Sequence, residues 1–299
     1  MAPTLRPKPP AIATTLSDVR IGALIFLTDK SIRPAQLAVE LEQRGFESFW
    51  VVEHTHIPTS RKTPWPGGEP IPEEYTRTLD PYVALSAAAA VTERLVLATG
   101  ITLVAQHHPI TLAKTVASLD LISNGRVELG IGVGWNVDEM EHHGVDPTKR
   151  RAIVRESVLA MKELWTRDEA SFHGDHVNFE PSWSWPKPVR KPHPPVVMGG
   201  AGGPLTFRHI VEYCDGWMPI HGRRGVFEKL PELHAAAEAA GRDPASIELG
   251  VFGCPPKPDV IDSYRDAGFT RCVLGLPPAP ADVVLKVLDG YAPLLASVS

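Results

Sequence analysis

Arg126-Val127-Glu128-Leu129-Gly130-Ile131-Gly132-Val133-Gly134-Trp135-Asn136 decides how this chain is read. It is a short apolar run that ends in alternating glycines. A polar segment of helical character, residues 136–141, follows it. In α/β proteins, strands that end in glycines at the start of a helix are where ligands are held, because only glycine lets the backbone come so close. Taken alone, Gly-x-Gly-x-Gly has two readings, a ligand loop and a tightly packed strand. The rest of the chain decides between them.

The same alternation repeats on both sides. Apolar strand-like runs precede it at residues 19–27, 48–52 and 95–103, the last broken by Gly100. Others follow at 195–198, 216–219, 247–252 and 271–276. Helical stretches separate them, several opened by a proline at the first turn (Pro34, Pro81, Pro109, Pro204), where the missing N–H costs nothing. The longest, 148–165, carries an apolar stripe of Val154, Val158, Met161 and Trp165. Strand and helix alternate eight times with no linker-like shift in composition, which predicts one (β/α)₈ TIM barrel over residues 19–299. A doubly wound sheet absorbs most of the same units. Two additions stand out: a long loop rich in proline and glycine at 57–78, and a small hairpin at 171–179.

The chain has 299 residues, 43% of them hydrophobic, enough for one barrel of roughly 250 residues with extensions. Net charge is -5 with the charges dispersed, so nothing marks a nucleic-acid partner. Cys214, Cys254 and Cys272 are odd in number and far apart, which argues for a reducing compartment and against a disulfide frame or zinc cluster. Residues 1–18 read as a flexible arm, with four prolines among the first fifteen residues and no apolar core of a secretory signal. No apolar stretch reaches the roughly 18 residues that span a bilayer. The expectation is a soluble, cytoplasmic protein that avoids membranes.

A barrel does its chemistry at the C-terminal ends of its strands. The polar groups there are Thr28 and Asp29; Glu53, His54 and His56; Gly100, Thr102, Gln106, His107 and His108; Trp135, Asn136, Asp138 and Glu139; and His221. His54-x-His56 has metal-ligand spacing, but the fourth strand ends in Trp135, the fifth in glycines and the eighth in Gly275-Leu276-Pro277-Pro278, none the missing His, Lys or Asp, so no metal site is expected. His54 opens the second strand into the site, where a neutral imidazole exchanges protons or bonds a cofactor ring; its plain alternative is to tie down the long loop. Gly199-Gly200-Ala201-Gly202-Gly203 ahead of Pro204 has the strand, glycine and helix-start order of an anion site. Gly100 marks a bulge or a close ligand approach. His107 and His108 read as a polar turn, and the tryptophans as packing residues or walls for a flat ligand.

Four segments make the chain resemble the bacterial luciferase-like flavin and deazaflavin oxidoreductases: residues 45–54, 98–109, 124–136 and 199–217. The resemblance implies a barrel holding coenzyme F420, or alternatively FMN. The cofactor ring would lie at the strand ends and its phosphate near Gly199, Gly200, Ala201, Gly202 and Gly203. It further implies a non-proline cis peptide at Gly100–Ile101 and places His54 beside the reactive ring carbon. Glu53, Thr102, Gly132, Gly134, Trp135 and Asp138 join the expected cofactor contacts, and Glu139 is an alternative to Asp138. Sugar-phosphate dehydrogenases of the deazaflavin branch carry a glutamate where this chain has Trp135, which argues against glucose-6-phosphate. The implied activity is hydride transfer between F420 and an unidentified small organic substrate. The alternatives are an FMN-dependent luciferase-like monooxygenase and a non-catalytic flavin or deazaflavin binder. Homodimerisation is expected by the same resemblance.

Overall fold

Eight short runs of buried residues pair edge to edge until the sheet meets itself. A computed structural model describes residues 19–223 and 225–298; the expected arm at 1–18 lies outside the described residues. The elements run β1 (Arg20–Ile25), α1 (Pro34–Gln43), β2 (Ser48–Val51), α2 (Pro81–Ala89), β3 (Val96–Thr99), α3 (Pro109–Ile122) and β4 (Val127–Ile131). Then come α4 (Val137–His142), α5 (Arg150–Thr166), β5 (Glu169–His173), β6 (Asn178–Trp183), β7 (Val196–Gly199), α6 (Pro204–Tyr213) and β8 (Gly216–Met218). The last are α7 (Leu230–Ala239), β9 (Glu248–Phe252), α8 (Pro258–Asp266), β10 (Arg271–Gly275) and α9 (Ala281–Val298).

The barrel closes in the order β1-β10-β9-β8-β7-β4-β3-β2, with β5 and β6 as a separate antiparallel pair. Every barrel pairing is parallel, and β1 closes the ring by pairing with both β2 and β10. This is the (β/α)₈ barrel expected from the alternation. Proline stands in the first turn of α1, α2, α3, α6, α7 and α8, so the missing N–H falls where a helix has no use for it. Three boundaries differ from the periodicity. The third strand ends at Thr99, and the chain turns through a cis Gly100–Ile101 bond into a short 3-10 turn, Val104–Gln106. The hairpin is longer than 171–179, and α7 starts at Leu230 rather than near 226 because a run of turns precedes it.

Period-two alternation gives β4 its two jobs. Val127, Leu129 and Ile131 join the core between strands and helices, while Glu128 and the glycines take the inner positions. A Cβ on Gly130 would lie 2.0 Å from the Thr99 carbonyl oxygen and 3.2 Å from the Trp50 indole. One on Gly132 would lie 2.3 Å from Ile101, and one on Gly134 2.7 Å from Met140. The alternating glycines therefore make room for neighbouring protein groups, the packed-strand reading of the opening stretch.

Inside the barrel, Trp50, Ala98, Val197, Met218, Phe252 and Val273 form one apolar layer, with Leu24 and Ile101 against it. Below lies a charged floor. Arg271, fully buried, donates to Glu128 at 2.6 and 2.9 Å and to Glu47 at 2.8 and 3.1 Å, and it lies 2.9 Å from Glu248. Arg20 bridges Glu47 and Glu248 from the rim at 3.1 and 2.7 Å. The floor closes one end, so the strand C-termini are the only open end of the barrel among the described residues.

Candidate active site

His54 emerges from β2 and meets α4. Its Nδ1–H donates to Glu139 Oε2 at 2.8 Å, and the Thr55 N–H donates to Glu139 Oε1 at 3.2 Å. A carboxylate only accepts, so this contact puts the proton of a neutral ring on Nδ1 and leaves Nε2 as the basic nitrogen. Glu139 is fully buried and is placed by its own helix start: Asn136 caps α4 by accepting from the Glu139 N–H at 3.5 Å. The His54 side chain is only 7% exposed because aromatic rings cover it. The Tyr75 ring centre lies 5.3 Å away and that of Trp135 5.8 Å.

Ile101 sits at the top of the inner layer. Its side chain fills the space left by two missing Cβ atoms, one at Gly132 and one at Gly199, where a Cβ would lie 2.3 and 2.7 Å from it. Glycines on two different strands thus seat one half-buried aliphatic group at the mouth. Beside it is a narrow crevice of Leu103, Gln106, Gly132, Gly134 and Met140. Gln106 Oε1 is buried there without a hydrogen-bond partner among the described residues.

The glycine run after β7 forms a third component. No atom lies within 4 Å of where a Cβ would stand on Gly200 or Gly203, and Gly200 has φ +107. Among the described residues, the N–H groups of Ala201, Gly202 and Gly203 donate to no protein acceptor. They precede α6, whose N-cap, Gly203, offers no side chain. Open space, free N–H groups and a ten-residue helix pointing its positive end at them are the physical requirements of an anion cradle. Gly202 forms its floor: a Cβ there would stand within 3.2 Å of Phe207, Trp217 and the Lys229 Cβ.

A family described as luciferase-like monooxygenase matches residues 31–256. The chain belongs to that family. It is 43% identical to an uncharacterised protein of Mycobacterium tuberculosis over 280 residues, 92% of this chain and 98% of that one. Two solved structures share the barrel at low identity, which speaks to fold alone. One is the monooxygenase RslO1 from Streptomyces bottropensis, with TM-score 0.75 and 22% identity over 94% of this chain and 100% of that chain. The other is an F420-dependent secondary alcohol dehydrogenase in complex with an F420-acetone adduct, with TM-score 0.73 and 20% identity over 94% and 99%. Relatives within the family include F420-dependent dehydrogenases and an FMNH(2)-dependent monooxygenase, so the chain is related to oxidoreductases of both cofactor types.

In this luciferase-like barrel several of the expected contact residues bond protein groups. Glu53 spends its carboxylate on the loop after β3, accepting from the Leu103 N–H at 2.6 Å and meeting His107 Nε2 at 2.7 Å. Burial lowers the His107 pKa, but the adjoining Glu53 outweighs it and the net shift is upward. His107 is thus a charge partner rather than a bare polar turn. Thr102 is fully buried and bonds the Tyr82 hydroxyl at 2.7 Å. Asp138 accepts from the Thr63 N–H at 2.9 Å, which pins the 57–78 loop to α4; burial raises its pKa, and the Thr63 and Lys62 groups bring it down overall. Gly132 and Gly134 act through the groups they admit. The mouth gathers His54, Ile101, Trp135 and the Gly199–Gly203 run. His56 contacts His142 at 2.9 Å, and no three His, Cys, Asp or Glu side chains among the described residues come together to hold a metal.

Four contributors are invisible or misplaced when the sequence is read alone. Glu139 orients His54 from the start of α4. Tyr75 and Trp65, far from any motif, arrive on the long loop, whose length and proline content are the available signal. Lys229 reaches Gly202 from the turn before α7, and no local pattern marks it.

Proposed function

We propose that the chain is a coenzyme F420-dependent oxidoreductase that transfers a hydride between the deazaflavin and a small organic substrate. The observation that carries this reading is the His54–Glu139 pair under an aromatic cover, with Nε2 given no hydrogen-bond partner among the described residues, at the mouth of a luciferase-like barrel. Removing a hydride from an alcohol carbon leaves a hydroxyl proton to be placed, and a neutral imidazole oriented by a buried carboxylate is suited to take it. The kinship with F420-dependent dehydrogenases supports the choice of cofactor.

The residues present fit such a group. The N–H groups from Ala201 to Gly203 and the start of α6 would hold its phosphate. Ile101, seated by Gly132 and Gly199, would support the ring. Bound there, F420 would supply the carbon that accepts or donates the hydride. The chain's own part is to position, to exclude water and to manage one proton at His54 Nε2. In the neutral ring, Glu139 holds the proton on Nδ1 and so directs the basic nitrogen at the mouth.

Cofactor titration tests the reading. Purified protein should quench oxidised F420 fluorescence with micromolar or tighter affinity and bind FMN at least tenfold more weakly. Tight FMN uptake with no F420 binding overturns it in favour of a flavin monooxygenase, and F420 uptake without turnover of any donor or acceptor favours a cofactor carrier. We also propose a homodimer through α2 and α3. They expose Val83 (71%) in the first turn of α2 and Leu121 (51%) and Ile122 (59%) in the last turn of α3. Light scattering should give twice the chain mass, and Val83→Asp with Ile122→Asp should return it to the monomer.

A further inference from the structure

His54, Thr55 and His56 leave the second strand in succession, and each is tied to the same short helix, α4. His54 and the Thr55 N–H both reach Glu139, at 2.8 and 3.2 Å. The Thr55 hydroxyl meets His143 Nε2 at 2.8 Å, and His56 Nε2 meets His142 Nδ1 at 2.9 Å. Within the strap itself, the Thr55 hydroxyl also meets His56 Nδ1 at 2.9 Å. Glu139, His142 and His143 follow one another at the spacing that puts side chains on one side of a helical turn. The strap ends where the 57–78 loop begins, so it holds His54 at one end and the root of that loop at the other. Hydride transfer at His54 gives the other three histidines no part.

The His56–His142 contact has a property that an amide pair lacks. The two ring planes are 12° apart and their centres 5.1 Å apart. With the facing nitrogens at 2.9 Å, the rings meet edge to edge in nearly one plane, as hydrogen-bonded rings do. One facing nitrogen must carry a proton and the other must be bare. Two neutral rings satisfy this. So do one neutral ring and one imidazolium, whose charge strengthens the bond. Two imidazolium rings do not, because both facing nitrogens then carry protons and both rings carry the same charge. The pair therefore accepts one proton and parts on the second, and histidine is the side chain that gains protons as pH falls from neutral to mildly acid.

The surrounding charges leave this behaviour to the pair itself. On α4 stand Glu139, Glu141 and His143; after β2, Glu53 and His54; on the long loop Lys62, 3.8 Å from Glu141; and after β3, His107. Burial lowers the His143 pKa, His56 and His107 lower it further, and Glu139 and Glu53 oppose them without prevailing. Glu139 is taken by His54 and Thr55, and Glu53 by Leu103 and His107. Among the described residues neither His56 nor His142 bonds a carboxylate.

We infer that His56 and His142 are positioning residues for His54, and that acid releases them. While their bond holds, residues 54–56 lie along α4 and His54 stays on Glu139. When both rings are charged the strap lets go at its loop end, and the Thr55–Glu139 contact, the longest of its bonds, loosens with it. The inference rests on His54 being the group that handles the proton in the proposed reaction.

Amide hydrogen exchange on the full-length protein without cofactor tests the strap, read at Thr55 as a protection factor so that the intrinsic pH dependence cancels. In wild type, protection should fall about twofold to tenfold from pH 8 to pH 5, the worth of one hydrogen bond. His142→Phe has no facing nitrogen and should show the lower value already at pH 8. His142→Asn keeps an acceptor where Nδ1 stood, and its amide oxygen takes the proton of a charged His56, so protection should stay high at both. A strap that worked by bulk alone would give the opposite order, kept by Phe and lost by Asn. Ring spectra of the histidine-labelled protein follow His54, whose Nδ1–H signal is assigned by its loss in His54→Gln. That signal should broaden at the acid step in wild type and stay sharp in His142→Asn. His142 is exposed, and circular dichroism should show the variants folded. Unchanged protection in His142→Phe, an Asn variant as acid-sensitive as wild type, or a His54 ring that ignores the step overturns the inference. F420 titration in parallel separates the failures: uptake without these signatures defeats this inference alone, and the signatures without uptake defeat only the cofactor assignment.

Discussion

Replacing Arg271 with methionine removes the one cation that the deepest carboxylate of the barrel floor touches. Glu47 and Glu248 would retain Arg20, at 3.1 and 2.7 Å, but Glu128 has both of its hydrogen bonds from Arg271 and is 3% exposed. Breaking a buried pair on one side costs about 3–5 kcal/mol, because the surviving charge has neither water nor partner. At roughly 2–4 °C per kcal/mol for a chain of this size class, the melting temperature should fall by about 6–20 °C. Burial already pushes the Glu128 carboxyl up, Arg271 opposes it, and Glu248 and Glu47 push the same way as burial. Without Arg271 the upward influences stand unopposed, and the variant's Glu128 folds protonated. A carboxyl raised in the folded state contributes stability below its unfolded pKa of about 4.3 and loses it as pH climbs toward the folded value. The deficit of Arg271→Met should thus be small near pH 5 and grow toward pH 8. Urea unfolding across that range, with Arg271→Met/Glu128→Leu as the companion, measures both magnitude and cause. The double variant should recover most of the loss. A deficit under about 1 kcal/mol at pH 8, or a double variant no better than the single, would refute the reasoning.

Other consequences are more local. Glu139→Gln should slow turnover about tenfold to a hundredfold by releasing the His54 tautomer, with F420 affinity within twofold of wild type in fluorescence titration; an unchanged rate would remove Glu139 from its positioning role. The raised pKa of His107 reflects burial opposed and exceeded by Glu53, so this pair stabilises the fold fully below about pH 6.5 and less as pH rises through the folded value. Melting curves from pH 6 to 9 should therefore show a decline that His107→Gln flattens. Gly130→Ala drives a methyl to 2.0 Å from a backbone oxygen that cannot retreat without parting two strands, whereas Gly132→Ala meets only the movable tip of Ile101 at 2.3 Å. The first should abolish or gravely weaken folding in circular dichroism; the second should fold and lose F420 affinity.

The barrel is legible in the order of residues, with a doubly wound sheet as its rival. Eight apolar runs, each followed by a helix opened by proline or capped at its start, leave few other ways to cover both faces of a parallel sheet. The sequence also placed His54 and the Gly199–Gly203 run at strand ends, because strand order alone says which residues reach the mouth. What it left open was whether Gly130, Gly132 and Gly134 served a ligand or a neighbour. Period two puts all three on the inner face, but only the closed ring brings Trp50, Ile101 and Met140 against them from other elements. The partners of Glu53 and Asp138 are tertiary for the same reason: only the folded chain brings the Leu103 N–H to one and the Thr63 N–H to the other, leaving Asp138 Oδ1 buried without a partner among the described residues. The assignment of Glu139 to His54, across 85 positions, and the arrival of Tyr75 beside His54 are long-range contacts that no local pattern marks. Local propensity governs where strands and helices form, whereas long-range contacts decide which side chains are left free to do chemistry.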